Sequence, residues 1–142
     1  RGLHSDAGLQ LTTVRNVKRE TIGQTRQWAE VDTSEVFLDL HGVPDDCPLQ
    51  FSCVSKKASG SLECYDVVGL TCNAEMLSLD TLLPALTVDD VLAIYPTGAY
   101  LEPMAANFNA LPRPGSVLID QGEVKLIKRH ETVEDVFARD II

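Results

Sequence analysis

The chain has 142 residues, with 21 acidic against 12 basic side chains and a formal net charge of −9. That length fits one domain that buries about two thirds of its unfolded surface, enough for a core without staples. The acidic balance argues against a nucleic-acid binder, which needs a basic face to displace counterions from phosphates, and against an anionic membrane surface.

Segments rich in β-branched residues dominate. Leu9 to Glu20 alternates for most of its length and reads as a long strand. Gly23-Gln24 turns the chain, and Gln27 to Asp32 returns as the second arm of a hairpin. Ser34 to Leu40 is apolar and fits a strand or a short helix, and His41 to Asp46 is a loop on glycine and proline grounds. Leu49 to Ser55 alternates again, Lys56 to Ser61 is a polar turn, and Leu62 to Gly69 is the next strand. From Glu75 to Leu83 the period loosens, which predicts a loop with one helical turn ended by Pro84.

Val91 to Tyr95 is an apolar run and reads as a buried strand, turned by Pro96 to Gly98. Leu101 to Phe108 has few β-branched residues and suits a short helix. Ser116–Asp120 and Glu123–Arg129 flank Gln121-Gly122 as a clear hairpin. Thr132 is an N-cap candidate for a closing helix over 133–138. The expected fold class is mainly β, an antiparallel sandwich or barrel-like domain with short helices. Residues 1–142 read as a single domain, without repeat or linker.

No apolar run is long enough to span a bilayer. Arg1 to Asp6 carries no apolar signal region, so the expected compartment is the cytoplasm unless an earlier segment has been removed. Cys47, Cys53, Cys64 and Cys72 match no paired zinc spacing, and free thiols in a reducing compartment are expected. His4, His41 and His130 form no metal spacing with an acid or cysteine, so no metal site is expected.

Two residues stand out chemically. Cys72 follows a strand in a loop with Gly69, where a thiol is either exposed and reactive or a small buried hydrophobe. Tyr100 follows Gly98-Ala99, where glycine lets backbone amides approach an anion and a phenol can donate to phosphate. The bland alternative is a half-buried tyrosine at a strand end. The lysines lie in polar turns or on charged strand faces, and none has the desolvated setting of a Schiff-base lysine.

The order Asp6-Ala7-Gly8, Val31-Asp32, Gly69-Leu70-Thr71-Cys72, Gly98-Ala99-Tyr100, Asn107-Phe108-Asn109 with Pro112-Arg113-Pro114, and Val117-Leu118-Ile119-Asp120 carries a family resemblance. It resembles the C-terminal domain of the fold-type III pyridoxal-phosphate decarboxylases, which include diaminopimelate, ornithine and arginine decarboxylases. The resemblance covers nearly the whole chain and is nearest to diaminopimelate decarboxylase-like members. It implies an N-terminal β/α barrel outside this chain that holds pyridoxal 5'-phosphate on a lysine. It also implies a homodimer in which the C-terminal domain of one subunit completes the site of the other. Residues 1–8 would be the exit from that barrel, with Arg1 matching an arginine near the cofactor phosphate.

By the same resemblance, Cys72 is the acid supplied across the dimer interface. Tyr100, with Gly98, meets the cofactor phosphate, and Asn73 and Glu75 lie where relatives grip the distal end of an amino-acid substrate. Two departures stand out. Asn73 occupies a place where relatives carry an acid, and Thr33 to His41 lacks the arginine and tyrosine of diaminopimelate decarboxylases. The implied function is a carboxy-lyase domain, inactive without the barrel lysine. The alternative is a catalytically dead relative acting as a regulatory binding module.

Overall fold

A computed structural model describes residues 3–23, 26–38, 48–57, 60–73 and 75–141. Arg1, Cys47 and the 41–46 loop lie outside the described residues. The described chain divides into two compact units, one running to Met104 and the other from Ala105.

The first unit is a six-stranded sheet. Its strands are β1 (Gln10–Arg19), β2 (Gln27–Val31), β3 (Gln50–Cys53), β4 (Leu62–Val68), β5 (Met76–Pro84) and β6 (Val91–Tyr95). They are ordered β3-β6-β1-β2-β4-β5. All neighbours are antiparallel except β2 and β4, which run parallel. The two edge strands, β3 and β5, approach one another, so the sheet curls into a nearly closed barrel. Closure hides sheet edges that would otherwise offer unpaired backbone groups. One-turn helices α1 (Glu35–Leu38) and α2 (Leu101–Met104) pack against each other.

The hairpin expected over 9–32 is present, with one refinement. Val14 pairs Val31 but Asn16 pairs Glu30, so Arg15 is an extra residue in β1. The bulge switches which face points inward: Thr12 and Val14 are buried before it, and Val17 packs on the core after it. The core is sealed by Val14, Val31, Tyr65, Leu83, Leu92 and Ile94, each at most 2% exposed.

The loop expected over 75–83 is instead the nine-residue strand β5. Its period is broken because its register against β4 shifts near Tyr65 and Val67, and Asp80 sits at φ +50°. Leu77 and Leu83 both face the core although Leu79 and Leu82 face outward. Asp66, 2% exposed, accepts a hydrogen bond from the Asp80 N–H at 3.1 Å and so stabilises the irregularity. The helix expected over 101–108 is also shorter. It ends at Met104, and a 3-10 turn follows at Phe108–Ala110, where Asn109 and Ala110 take positive φ.

The second unit contains the hairpin β7 (Ser116–Asp120) and β8 (Glu123–Lys128), as its sequence pattern predicts. Gln121 and Gly122 both have positive φ, the twist that matches a two-residue hairpin turn. The closing helix α3 (Val133–Val136) starts at Thr132 with a reciprocal capping box to Asp135.

Candidate functional site

Strand direction brings the sequence-predicted residues to one end of the barrel. β2 and β6 are each antiparallel to β1, so they run the same way, and β4 is parallel to β2. The segments that leave β2, β4 and β6 therefore emerge together. They are Asp32 to α1, Gly69 to Glu75, and Pro96 to α2. The start of β1 lies at this end as well, preceded by a 3-10 turn over Ser5–Ala7.

Asp32 anchors the first segment. Its carboxylate accepts from the Thr13 N–H at 2.7 Å, from Thr12 Oγ1 at 2.8 Å and from Arg15 at 2.8 Å. Burial pushes this carboxyl up, but those hydrogen bonds and the Arg15 charge outweigh it and hold it below the usual aspartate value. Thr33 and Ser34 follow, 2% and 0% exposed.

The second segment carries Cys72. Leu70 N–H donates to Thr33 O at 3.1 Å, and Gly69 N–H donates to Glu75 O at 3.2 Å. Glu75 turns inward and is 4% exposed, with Ser34 Oγ donating to Oε1 at 2.5 Å and Thr71 Oγ1 donating to the same oxygen. Cys72 and Asn73 remain exposed between these anchors. The Asn73 side-chain amide donates to Glu35 at the start of α1.

The third segment carries Tyr100. Thr97 N–H donates to Gly8 O, and Gly98 N–H to Ser5 O, both at 2.9 Å. Gly98 thus packs on the backbone that leads into β1. Tyr100 takes φ +70°, and its ring is about half exposed (51%) as the chain enters α2. The Cys72 turn is tied to α1, and α1 packs on α2, which Tyr100 precedes. Neither Cys72 nor Tyr100 is sealed in the core, and both stand at the same end of the barrel.

Sequence reasoning did not find Ser34 or the inward turn of Glu75. The two residues are 41 positions apart, and nothing local marks the pairing. Among the described residues no cluster of side chains is arranged to hold a metal ion. No described helix is long and apolar enough to cross a membrane.

Comparison with known proteins converges on one family. Diaminopimelate decarboxylase of Bacillus subtilis strain 168 is 33% identical over 142 residues, covering 99% of this chain and 32% of that protein. The crystal structure of diaminopimelate decarboxylase from M. jannaschii superposes with a TM-score of 0.85 at 29% identity, over 97% of this chain and 31% of that one. The same enzyme in co-complex with L-lysine superposes equally well, at 28% identity and TM-score 0.85, over 97% of this chain and 31% of that one. No family model matches the chain.

The barrel-like β fold and these relatives place the chain in the fold-type III pyridoxal-phosphate-dependent amino-acid decarboxylase family, as a counterpart of its C-terminal domain. The chain spans about a third of the length of the curated relatives it matches.

Proposed function

We propose that this chain serves as the C-terminal domain of a cytoplasmic, homodimeric amino-acid decarboxylase and completes an active site built mainly by an N-terminal β/α barrel. The observation that carries the reading is the convergence of exposed Cys72 and half-exposed Tyr100 at one barrel end, within a decarboxylase-like fold. The donor set fits pyridoxal phosphate held chiefly by another domain. Tyr100 offers a phenol O–H to the phosphate, with the Gly98 turn two residues before it, and the family resemblance would assign Arg1 to the same ligand. The cofactor, when bound, supplies the sink for the electron pair left at the substrate Cα as CO2 departs.

Cys72 supplies the complementary acid. Its Sγ proton goes to the substrate Cα, forming the new C–H bond, and the thiolate regains a proton from solvent. The exposed turn delivers the thiol to a surface that a partner can cover. Asn73, beside it, contributes an amide to the substrate-binding side where relatives carry an acid. An amino acid with a second polar group suits this arrangement, and the M. jannaschii relative solved with L-lysine supports that class.

The test is a Cys72→Ala variant of the complete protein, assayed against diaminopimelate, lysine, ornithine and arginine with full product analysis. Loss of an acid of this kind slows the reaction by about two to four powers of ten or diverts it to products protonated elsewhere. Unchanged rate and product would remove Cys72 from the chemistry.

A further inference from the structure

We propose that Glu75 is a positioning residue: its buried carboxylate sets the turn that presents Cys72. The inference rests on the proton-donor reading of that thiol. A carboxylate placed merely to fill space is replaceable by an apolar side chain at lower desolvation cost. Glu75 instead gathers the turn around itself. Oε1 accepts from Ser34 Oγ at 2.5 Å and from Thr71 Oγ1, the residue immediately before Cys72. Oε2 lies 3.5 Å from the Thr71 N–H.

Space for the carboxylate is made by a missing side chain. A Cβ on Gly69 would stand 1.7 Å from Glu75 Oε2 and 2.9 Å from its carboxyl carbon. The backbone closes the same loop, since Gly69 N–H donates to Glu75 O and Leu70 N–H donates to Thr33 O. On the other side of Cys72, Asn73 is held by Glu35. The thiol is therefore flanked by two residues that are each tied to the segment entering α1, one through Glu75 and Ser34 and one through Glu35. The acid that family order would assign to the substrate is committed inside the protein, 4% exposed.

The test compares alkylation of Cys72 and Cys64 by iodoacetamide, followed site by site by mass spectrometry. Cys64 is an exposed cysteine on β4 of the same unit and serves as the internal control. Glu75→Gln is expected to change the Cys72 rate about fivefold or more while leaving the Cys64 rate as in the parent protein. Ser34→Ala, which keeps the carboxylate but removes one donor, is expected to shift Cys72 in the same direction by less. An unchanged Cys72 rate in Glu75→Gln overturns the proposal, and so does a parallel change at both cysteines, which marks general loosening. If Glu75→Gln does not fold, Ser34→Ala decides alone, and an unaltered Cys72 rate there overturns it. Failure of the proton-donor reading is seen separately, as unchanged catalysis in Cys72→Ala, whatever the alkylation shows.

Discussion

Gly8 and Gly98 pass each other backbone against backbone: a Cβ on Gly8 would stand 2.6 Å from Gly98 Cα, and one on Gly98 would stand 2.0 Å from His4 O. The contact pins the chain entering β1 to the turn that leads to Tyr100. It gives Gly98 a reason to be glycine that needs no ligand. Gly98→Ala should lower the stability of the first unit by at least about 1–3 kcal/mol, because the clash is with backbone that cannot rotate away. Urea denaturation of cofactor-free protein checks this. An unchanged midpoint would leave phosphate approach as the sole explanation for the glycine.

Tyr100 makes a separable prediction. Tyr100→Phe keeps the ring at the entrance to α2 and removes only the O–H. A hydrogen bond to a charged group contributes about 1.5–3 kcal/mol, so pyridoxal-phosphate affinity of the complete enzyme should fall by about ten- to a hundredfold. Equilibrium binding measures it.

Tyr65 tests the core. Its hydroxyl is sealed, accepts from the Leu86 N–H at 3.0 Å and donates to Glu63 at 2.7 Å. Tyr65→Phe strands the Leu86 N–H without a partner. The expected loss is about 1–3 kcal/mol, read as a lower denaturation midpoint with an unchanged denaturant slope.

Glu131 predicts a pH dependence in the second unit. Arg113 donates to it from its side chain, at 2.8 Å from Nε, and from its backbone N–H at 2.8 Å, and the Asn107 amide adds a third donor at 2.7 Å. These bonds hold its carboxyl down to about 2, against a usual value of 4.5. The folded value lies below the unfolded one, so the contribution is complete above about pH 4.5 and fades as pH falls toward 2. Carboxyl NMR of Glu131 should show the depressed titration, and Arg113→Ala should return it toward 4.5.

Some of this architecture is written locally and some is not. The β1–β2 and β7–β8 hairpins follow from alternation around glycine turns, and the Thr132 cap follows from three adjacent residues. β5 escaped detection because Asp80 at φ +50° breaks the two-residue period, and its partner β4 shifts register in response. The candidate site divides the same way. Cys72 and Tyr100 are conspicuous in the sequence as a thiol and a phenol beside glycines, and both stand exposed at one end of the fold. The inward turn of Glu75 depends on Ser34, which only the parallel pairing of β2 with β4 brings near. Motif order can assign that carboxylate a place in the chain, but it cannot say which way the side chain faces.

On the proposed reading, this domain lends its thiol to an active site completed by another subunit. Mixing two inactive full-length proteins tests it most directly, one carrying Cys72→Ala and the other lacking the barrel lysine. If the site is shared across the dimer, random re-pairing assembles one intact site in each hybrid, and about a quarter of the wild-type activity returns. Activity that stays at the level of the unmixed variants, with hybrid formation verified, would show that Cys72 does not act across the dimer.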